Sequence, residues 1–318
     1  MILKYNTEWI SNRADPYVLK AEDGKYFFTA SVPEYDRVML RCADSLEGLE
    51  KAEEKTVWTK HDSGIMSCNV WAPEIHYLFG GWYIYFAASD IDDMWALRPY
   101  ILKCTGDDPM KDEWVEVGKM KAAEDDEFSF NAFSLDMTVF ENKGEWFCVW
   151  AEKVGVGKQI SNLYIARMKS ATELATTQVL LTSPDYAWER HGFWVNEGPS
   201  AVHHNGKVFL TYSASDTSPA YCMGMLSADE ESDLCDPSNW KKSKKPIIKT
   251  NVENKIYGPG HNSFTKDENG NDIMIYHART TDKLICEDPL YDPGRHTMAM
   301  KVDWNSEGYP VFRSEEIG

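Results

Sequence analysis

The chain predicts an all-β fold, a five-bladed β-propeller with four antiparallel strands per blade. Three observations lead there. First, a β-prone run, a turn rich in Asn, Asp or Gly and a second β-prone run occur together five times in the 318 residues. Such turns between β-prone runs are strong short-range hairpin signals. Second, the positions heading the copies are Asp15, Glu74, Asp136, Glu197 and His261, separated by 59, 62, 61 and 64 residues. Third, each period contains two further strand-like runs, making four strands per unit. Self-similarity at a fixed long period means a repeat architecture, and four strands per repeat is the propeller blade. A β-sandwich would explain many short strands but not five ordered copies.

The elements follow in order. Residues 1–14 are placed to add a strand to the last blade and close the ring. Blade one takes Asp15-Pro-Tyr-Val-Leu, the turn at Asp23-Gly24, Tyr26-Phe-Phe-Thr-Ala-Ser, Arg37-Val-Met-Leu and Thr56-Val-Trp-Thr, with a short helix in the charged stretch 44–55. Blade two takes Ala72-Pro-Glu-Ile-His-Tyr, Gly80-Gly81, Trp82-Tyr-Ile-Tyr-Phe, Tyr100-Ile-Leu-Lys and Trp114-Val-Glu-Val. Blade three takes Asp136-Met-Thr-Val-Phe, Lys143-Gly144, Glu145-Trp-Phe-Cys-Val-Trp, Leu163-Tyr-Ile-Ala and Gln178-Val-Leu-Leu. Blade four takes Glu197-Gly-Pro-Ser-Ala-Val, Asn205-Gly206, Lys207-Val-Phe-Leu-Thr-Tyr, Tyr221-Cys-Met-Gly and Pro246-Ile-Ile-Lys. Blade five takes Gly260-His-Asn-Ser-Phe, Asn269-Gly270, Asp272-Ile-Met-Ile-Tyr-His, His296-Thr-Met-Ala and Pro310-Val-Phe-Arg. The connections 90–99, 124–133 and 183–195 are longer than blade closure requires, and such loops carry function. No linker interrupts the repeats, so residues 1–318 read as a single domain.

Composition narrows the function. The net charge of −18 repels nucleic acid and anionic membranes and favours a neutral partner. The basic run Lys241-Lys242-Ser243-Lys244-Lys245 reads as a solvated loop. Aromatic residues make up 13%, enough for packed blades and for stacking on sugar rings. No stretch is long enough to span a bilayer. Residues 1–8 lack the apolar core and cleavage site of a signal peptide. The seven cysteines are odd in number and irregularly spaced, with no Cys-x-x-Cys, which reads as reduced thiols. Together these features predict a cytoplasmic protein; homo-oligomerisation is left open.

The strand heading each blade lines the central channel, so the five heading positions are expected at one register, converging at one end. One acid alone reads as a surface or capping carboxylate, but three at one register do not. Glycoside hydrolysis needs two carboxyl groups astride the scissile bond. Asp15, flanked by Arg13 and Pro16, is expected to stay ionised and act as base. Glu197, beside Trp188, Phe193 and Trp194, is expected to have a raised pKa and act as acid, with Asp136 supplying a neighbouring charge. Glu74 takes a structural role, hydrogen-bonding loop backbone. Trp71 is either a sugar platform or a core residue. His76, His203 and His204 read as strand residues without a role.

Five motifs carry a resemblance. Arg13-Ala-Asp-Pro-Tyr-Val18, Trp71-Ala-Pro-Glu-Ile75, Ser134-Leu-Asp-Met-Thr138, Asn196-Glu-Gly-Pro-Ser200 and Gly258-Pro-Gly-His-Asn-Ser263 resemble glycoside hydrolase family 43 in order and over almost the whole chain. The resemblance implies a five-bladed propeller that cleaves arabinose- or xylose-containing oligosaccharides with inversion. It implies Asp15 as general base, Asp136 as pKa modulator and Glu197 as general acid. It places Ser134, Trp71, His261 and Arg295 at the substrate, with His261 on the axis holding a water or a cation such as calcium; no cofactor is required for the chemistry. Stretches 30–36 and 288–292 look most like single-domain α-L-arabinofuranosidases, and the three long connections favour exo action. The alternatives are a β-xylosidase or dual enzyme and, in another class, a propeller that binds sugar without cleaving it.

Overall fold

The computed structural model describes residues 3–156 and 158–314. It is all-β: 21 strands and three single-turn 3-10 helices among the described residues. The first sheet runs β1 (Ala14–Lys20), β2 (Tyr26–Ser31), β3 (Arg37–Ala43), β4 (Lys55–Thr59), and the second β5 (Cys68–Leu78), β6 (Gly81–Asp90), β7 (Asp93–Cys104), β8 (Trp114–Lys119). Next come β9 (Ser134–Asn142), β10 (Glu145–Val156) and β11 (Lys158–Ser170), with the short β12 (Glu173–Leu174) and β13 (Val179–Thr182) both paired to β11. They are followed by β14 (Trp194–His204), β15 (Lys207–Ala214), β16 (Cys222–Asp229) and β17 (Lys241–Lys242). The last sheet is β18 (Tyr257–Lys266), β19 (Asp272–Arg279), β20 (His296–Trp304), β21 (Pro310–Phe312).

The strands group into four sheets, not five separate ones. β11 meets β14 in a two-residue parallel pairing, Ile160 with Trp194 and Ser161 with Val195, which merges two sets into a nine-stranded sheet. The cause is length. The β10–β11 hairpin pairs from Phe147 with Arg167 out to Val156 with Lys158, beyond the ladder that β9 offers, and its end reaches β14.

Every sheet-leading strand carries a bulge at the same point. The register slips between Ala14 and Tyr17 in β1, Trp71 and Glu74 in β5, Glu197 and Ser200 in β14, and Gly260 and Ser263 in β18. In β9 the slip lies between Leu135 and Thr138. One residue in each bulge has left-handed backbone: Asp15 (φ 52°), Ala72 (45°), Asp136 (54°), Gly198 (55°) and His261 (45°). A bulge bends the strand and re-aims a side chain, at a cost of roughly 1–2 kcal/mol when the residue is not glycine. This corrects the expected common register. Asp15, Asp136 and His261 share it; Glu197 stands one residue before it and Glu74 two residues after. The five bulged strands touch in cyclic order, β1 to β5, β9, β14, β18 and back to β1.

Apolar side chains fill the seams between successive sheets. Val38 and Leu40 pack with Ile84 and Leu102, Tyr85 and Ile101 with Trp150 and Ala166, and Phe28 and Met39 with Ile275 and Ala299. These are the inward positions of alternating strands, and their burial drives the stacking.

Other expectations change locally. Residues 90–99 are not a loose connection: β6 and β7 extend to a turn closed by Asp90 opposite Asp93, and Trp95 lies within β7. Lys241 and Lys242, read as loop, form the outer strand β17, while Ile248 makes only a single bridge to Met223. The stretch 44–55 holds one 3-10 turn, Glu47–Glu50. The backbone N–H groups of Asn6, Trp9 and Ile10 donate to Ala299 and Thr297 of β20, tying the start of the described chain to the last sheet. Among the described residues, no helix is long and apolar enough to cross a membrane.

Candidate active site

The bulges of β1, β9 and β18 bring Asp15, Asp136 and His261 together, and the residue before the β14 bulge adds Glu197. The Asp15 backbone N–H donates to His277 Nδ1 at 3.0 Å. In this contact Nδ1 accepts and the ring proton sits on Nε2, which has no hydrogen-bond partner among the described residues; the same Nδ1 lies 3.3 Å from Asp15 Oδ1. Burial pushes the His277 pKa down to about 3, so the ring is neutral. Asp15 Oδ1 lies 3.2 Å from His261 Nδ1 and 3.6 Å from Arg295 Nη1. Burial alone would raise the Asp15 pKa, but the charges of His261 and Arg295 outweigh it and hold the carboxyl well below the usual range.

Asp136 Oδ2 accepts the Gly198 backbone N–H at 3.0 Å and lies 3.8 Å from His261 Nδ1. Gly198 fits tightly here: its φ is left-handed, and a Cβ would stand 3.1 Å from the His261 ring, which would have to give way. Burial opposes charge on His261, but the carboxyls of Asp15, Asp136, Glu197 and Glu74 prevail, so its pKa is raised. Burial raises both Asp136 and Glu197; the charge of Glu197 raises Asp136 further, that of Asp15 raises Glu197, and Asp136 and Glu197 titrate as a pair.

Glu197 Oε1 accepts the Tyr221 hydroxyl at 2.8 Å. Gly260 makes the contact feasible, since a Cβ there would come within 2.3 Å of the Tyr221 ring. The hydroxyl stabilises the ionised carboxylate and so opposes the upward shift. Tyr221→Phe is expected to raise the Glu197 pKa and move the basic limb of the pH–kcat profile upward; a full profile of the variant checks this.

Asp15, Asp136, Glu197, Tyr221 and His261 line a hollow of about 830 Å³ together with Trp71 and Arg295. Trp71 is both wall and core, packing edge-on to Tyr35 at 5.6 Å. Arg295 Nη2 donates to Tyr35 Oη at 2.5 Å and to the Leu290 carbonyl at 3.1 Å. Ser134, expected at the substrate, does not reach the hollow: it is fully buried and its hydroxyl donates to the Ala132 carbonyl at 3.2 Å. Glu74 is structural, but its partner is a side chain, not loop backbone: His76 Nε2 lies 2.8 Å from its Oε2. The role denied to His76 is thus a pairing role.

The sequence reading gave no site role to Tyr35, Lys153, Tyr221, His277 or the segment 287–290, although Tyr35 and residues 288–290 lie in the two stretches that carry the finer resemblance. Most come from second or third strands, or from the approach to β20, where no repeat position marks them. The walls stand on buried carboxylates. Glu152 accepts the backbone N–H groups of Phe130 and Ala132 at 3.0 and 2.9 Å, fixing Phe133. Glu189, fully buried, accepts from Asn196 Nδ2 at 3.0 Å and Tyr212 at 2.8 Å, bracing the residue next to Glu197. Trp95 and Phe193, 53% and 66% exposed, rim the opening.

Calcium takes about six to eight oxygen ligands. The set around His261 does not make such a cage, and among the described residues no group of three or more His, Cys, Asp or Glu side chains is arranged to hold a metal ion.

Residues 10–310 match the sequence profile of glycosyl hydrolases family 43. The chain belongs to glycosyl hydrolases family 43. It is 46% identical over 301 residues to an extracellular exo-α-(1→5)-L-arabinofuranosidase of Streptomyces avermitilis, covering 94% of this chain and 61% of the relative. It is 41% identical over 282 residues to an enzyme of the same name from Streptomyces chartreusis, covering 88% and 84%. The crystal structure of an α-L-arabinofuranosidase from Lactobacillus brevis superposes with a TM-score of 0.90 at 47% identity, covering 96% of this chain and 95% of that one. The chain thus spans about three fifths of the Streptomyces avermitilis relative.

The names of the two Streptomyces family members overturn the expected cytoplasmic location, since both are extracellular. The physical reason is that the thiols carry no compartment signal here. All seven cysteines are free, three of them are buried, and the rest are partly covered. A thiol buried in a strand serves as a small apolar side chain whatever the redox poise outside.

Proposed function

We propose that this chain is an exo-acting α-L-arabinofuranosidase that removes terminal arabinofuranose from arabino-oligosaccharides with inversion. The observation that carries the proposal is the opposite tuning of two acids at one hollow: Asp15 is held ionised by His261 and Arg295, and Glu197 is pushed toward its protonated form by burial. Asp15 is the general base that takes a proton from water as the water attacks the anomeric carbon. Glu197 is the general acid that gives its proton to the departing glycosidic oxygen. Asp136 holds the Gly198 N–H and titrates with Glu197 as a pair, so the one proton they share stays bound to higher pH. Arg295 and Trp71 lie where sugar hydroxyls and a ring face would sit. A lectin would need no such separation of pKa values.

The bulged strands, touching in cyclic order, support a single-domain five-bladed propeller in which the nine-stranded sheet contributes two blades. The rim of Trp95, Phe193 and segment 287–290 supports a pocket closed on one side, which admits a chain end. The relatives' names support both the arabinofuranoside and an extracellular setting.

The test compares aryl α-L-arabinofuranoside with aryl β-D-xyloside. Arabinofuranoside is expected to be cleaved with the larger kcat/KM, and a larger value on the xyloside overturns the sugar assignment. Asp136→Asn is expected to lower kcat and shift the basic limb of its pH profile downward, because Glu197 loses the neighbouring negative charge that raises the upper pKa of the pair. An unmoved limb contradicts the role of Asp136.

A further inference from the structure

Besides His261, two basic side chains line the hollow, Arg295 and Lys153, and Arg295 is the more engaged, though its Nε has no hydrogen-bond partner among the described residues. Arg295 divides its guanidinium among Tyr35, the Leu290 carbonyl and Asp15. Lys153 is different. It follows the last β10 residue paired with β9, Glu152 opposite Ser134, on the extended part of the hairpin. Its backbone N–H donates to the Phe133 carbonyl at 2.9 Å. Its Nζ sits 3.8 Å from the centroid of the Phe133 ring. Among the described residues this ammonium has neither an ion-pair partner nor a hydrogen-bond acceptor, although the side chain is half-buried and lines the hollow.

An ammonium carries three donors, and the face of one ring replaces only part of its lost hydration. The Glu152 carboxylate holds the backbone N–H groups of Phe130 and Ala132, and the Phe133 carbonyl holds the Lys153 N–H, so Lys153 is placed rather than adrift. Burial lowers its pKa, and Glu197 is the carboxyl whose charge opposes that shift. Lys153 stands opposite Ser161 of β11, which stands opposite Val195 of β14, two residues before Glu197, so Lys153 lies on the Glu197 side of the hollow. In the proposed reaction that is the side on which the leaving sugar departs.

We propose that Lys153 sets specificity for the leaving group: its ammonium donates hydrogen bonds to hydroxyls of the sugar unit that receives the proton of Glu197. The proposal rests on the reading of Glu197 as the acid. It concerns recognition and changes no bond in the reaction. The ligand chemistry is a neutral, hydroxyl-bearing sugar, for which three free donors next to an apolar ring face are complementary.

The experiment measures KM and kcat of the full chain, Lys153→Met and Lys153→Arg on two substrates. One is an α-1,5-linked arabino-oligosaccharide; the other is 4-nitrophenyl α-L-arabinofuranoside, whose leaving group has no sugar hydroxyls. In Lys153→Met the KM for the oligosaccharide is expected to rise roughly tenfold or more, the loss of a charge-assisted hydrogen bond. The KM for the nitrophenyl substrate is expected to stay within about twofold, by the same reasoning. Lys153→Arg, which keeps the charge and the donors, is expected to recover most of the loss, and it carries the comparison if the methionine variant does not fold. An equal change on both substrates, or none on the oligosaccharide, overturns the proposal. Failure of the function reading looks different: the wild-type chain would then cleave the β-xyloside in preference, and the Lys153 comparison would be made on the xylose pair.

Discussion

Glu197→Gln is expected to lower kcat on an arabino-oligosaccharide by about 10³-fold, within the range of 10²–10⁴ that a positioned general acid contributes. The substitution is isosteric and leaves the Tyr221 hydroxyl an acceptor, the amide oxygen, at the position where Oε1 accepts it at 2.8 Å. The loss is thus chemical and not one of packing. It should depend on the leaving group. A sugar alkoxide is a poor leaving group and needs the proton, whereas a nitrophenolate leaves largely without it, so the loss on the aryl substrate should be about tenfold or less. The basic limb of the pH profile should also vanish, since no proton remains to be lost at that position. Kinetics on the two substrates across pH check all three outcomes. A loss of equal size on both would assign Glu197 another role.

Asp15→Asn is expected to reduce kcat by a similar order, about 10³-fold, but equally on both substrates. Attack by water is common to the two reactions and does not sense the leaving group. The stability of this variant has a pH signature as well. The folded-state pKa of Asp15 is depressed by His261 and Arg295. Its favourable pairing is therefore fully present above the unfolded pKa of an aspartate, about 4, and fades as pH falls toward the depressed folded value. The asparagine variant lacks this contribution and leaves the buried Arg295, 3.6 Å away, without its carboxylate. Its melting temperature should lie below that of the wild type near neutral pH, and the gap should narrow in acid. A gap that widens in acid would contradict the assignment of Asp15 as the ionised partner.

The repeat was legible in the sequence because hairpin turns are local: Asn205-Gly206 and Lys143-Gly144 announce themselves whatever surrounds them. Register was not, because the bulge residue differs at every copy: Asp15, Ala72, Asp136, Gly198 and His261 share a backbone conformation but no side-chain chemistry. A partial cue was present. Asp15, Ala72 and Gly198 each precede a proline, and aligning the copies on Pro16, Pro73 and Pro199 would have placed Glu197 one residue early and Glu74 two late. Ser134 misled because a motif residue can support the chain from beneath: its hydroxyl closes on Ala132. His277 and Tyr221 were hidden for the opposite reason. They lie on β19 and just before β16, and only the stacking of the sheets brings them to Asp15 and Glu197. The merging of two strand sets through β11 and β14 likewise depends on a hairpin longer than its ladder, and a period count does not reveal length of that kind.

The most direct measurement is the anomeric configuration of the first product, followed by proton NMR from the moment an α-L-arabinofuranoside is mixed with the enzyme. With Asp15 delivering water on one face while Glu197 protonates the other, β-L-arabinose should appear first and the α-anomer only by later mutarotation. The α-anomer appearing first would mean a covalent intermediate and would contradict the pairing of Asp15 as base with Glu197 as acid.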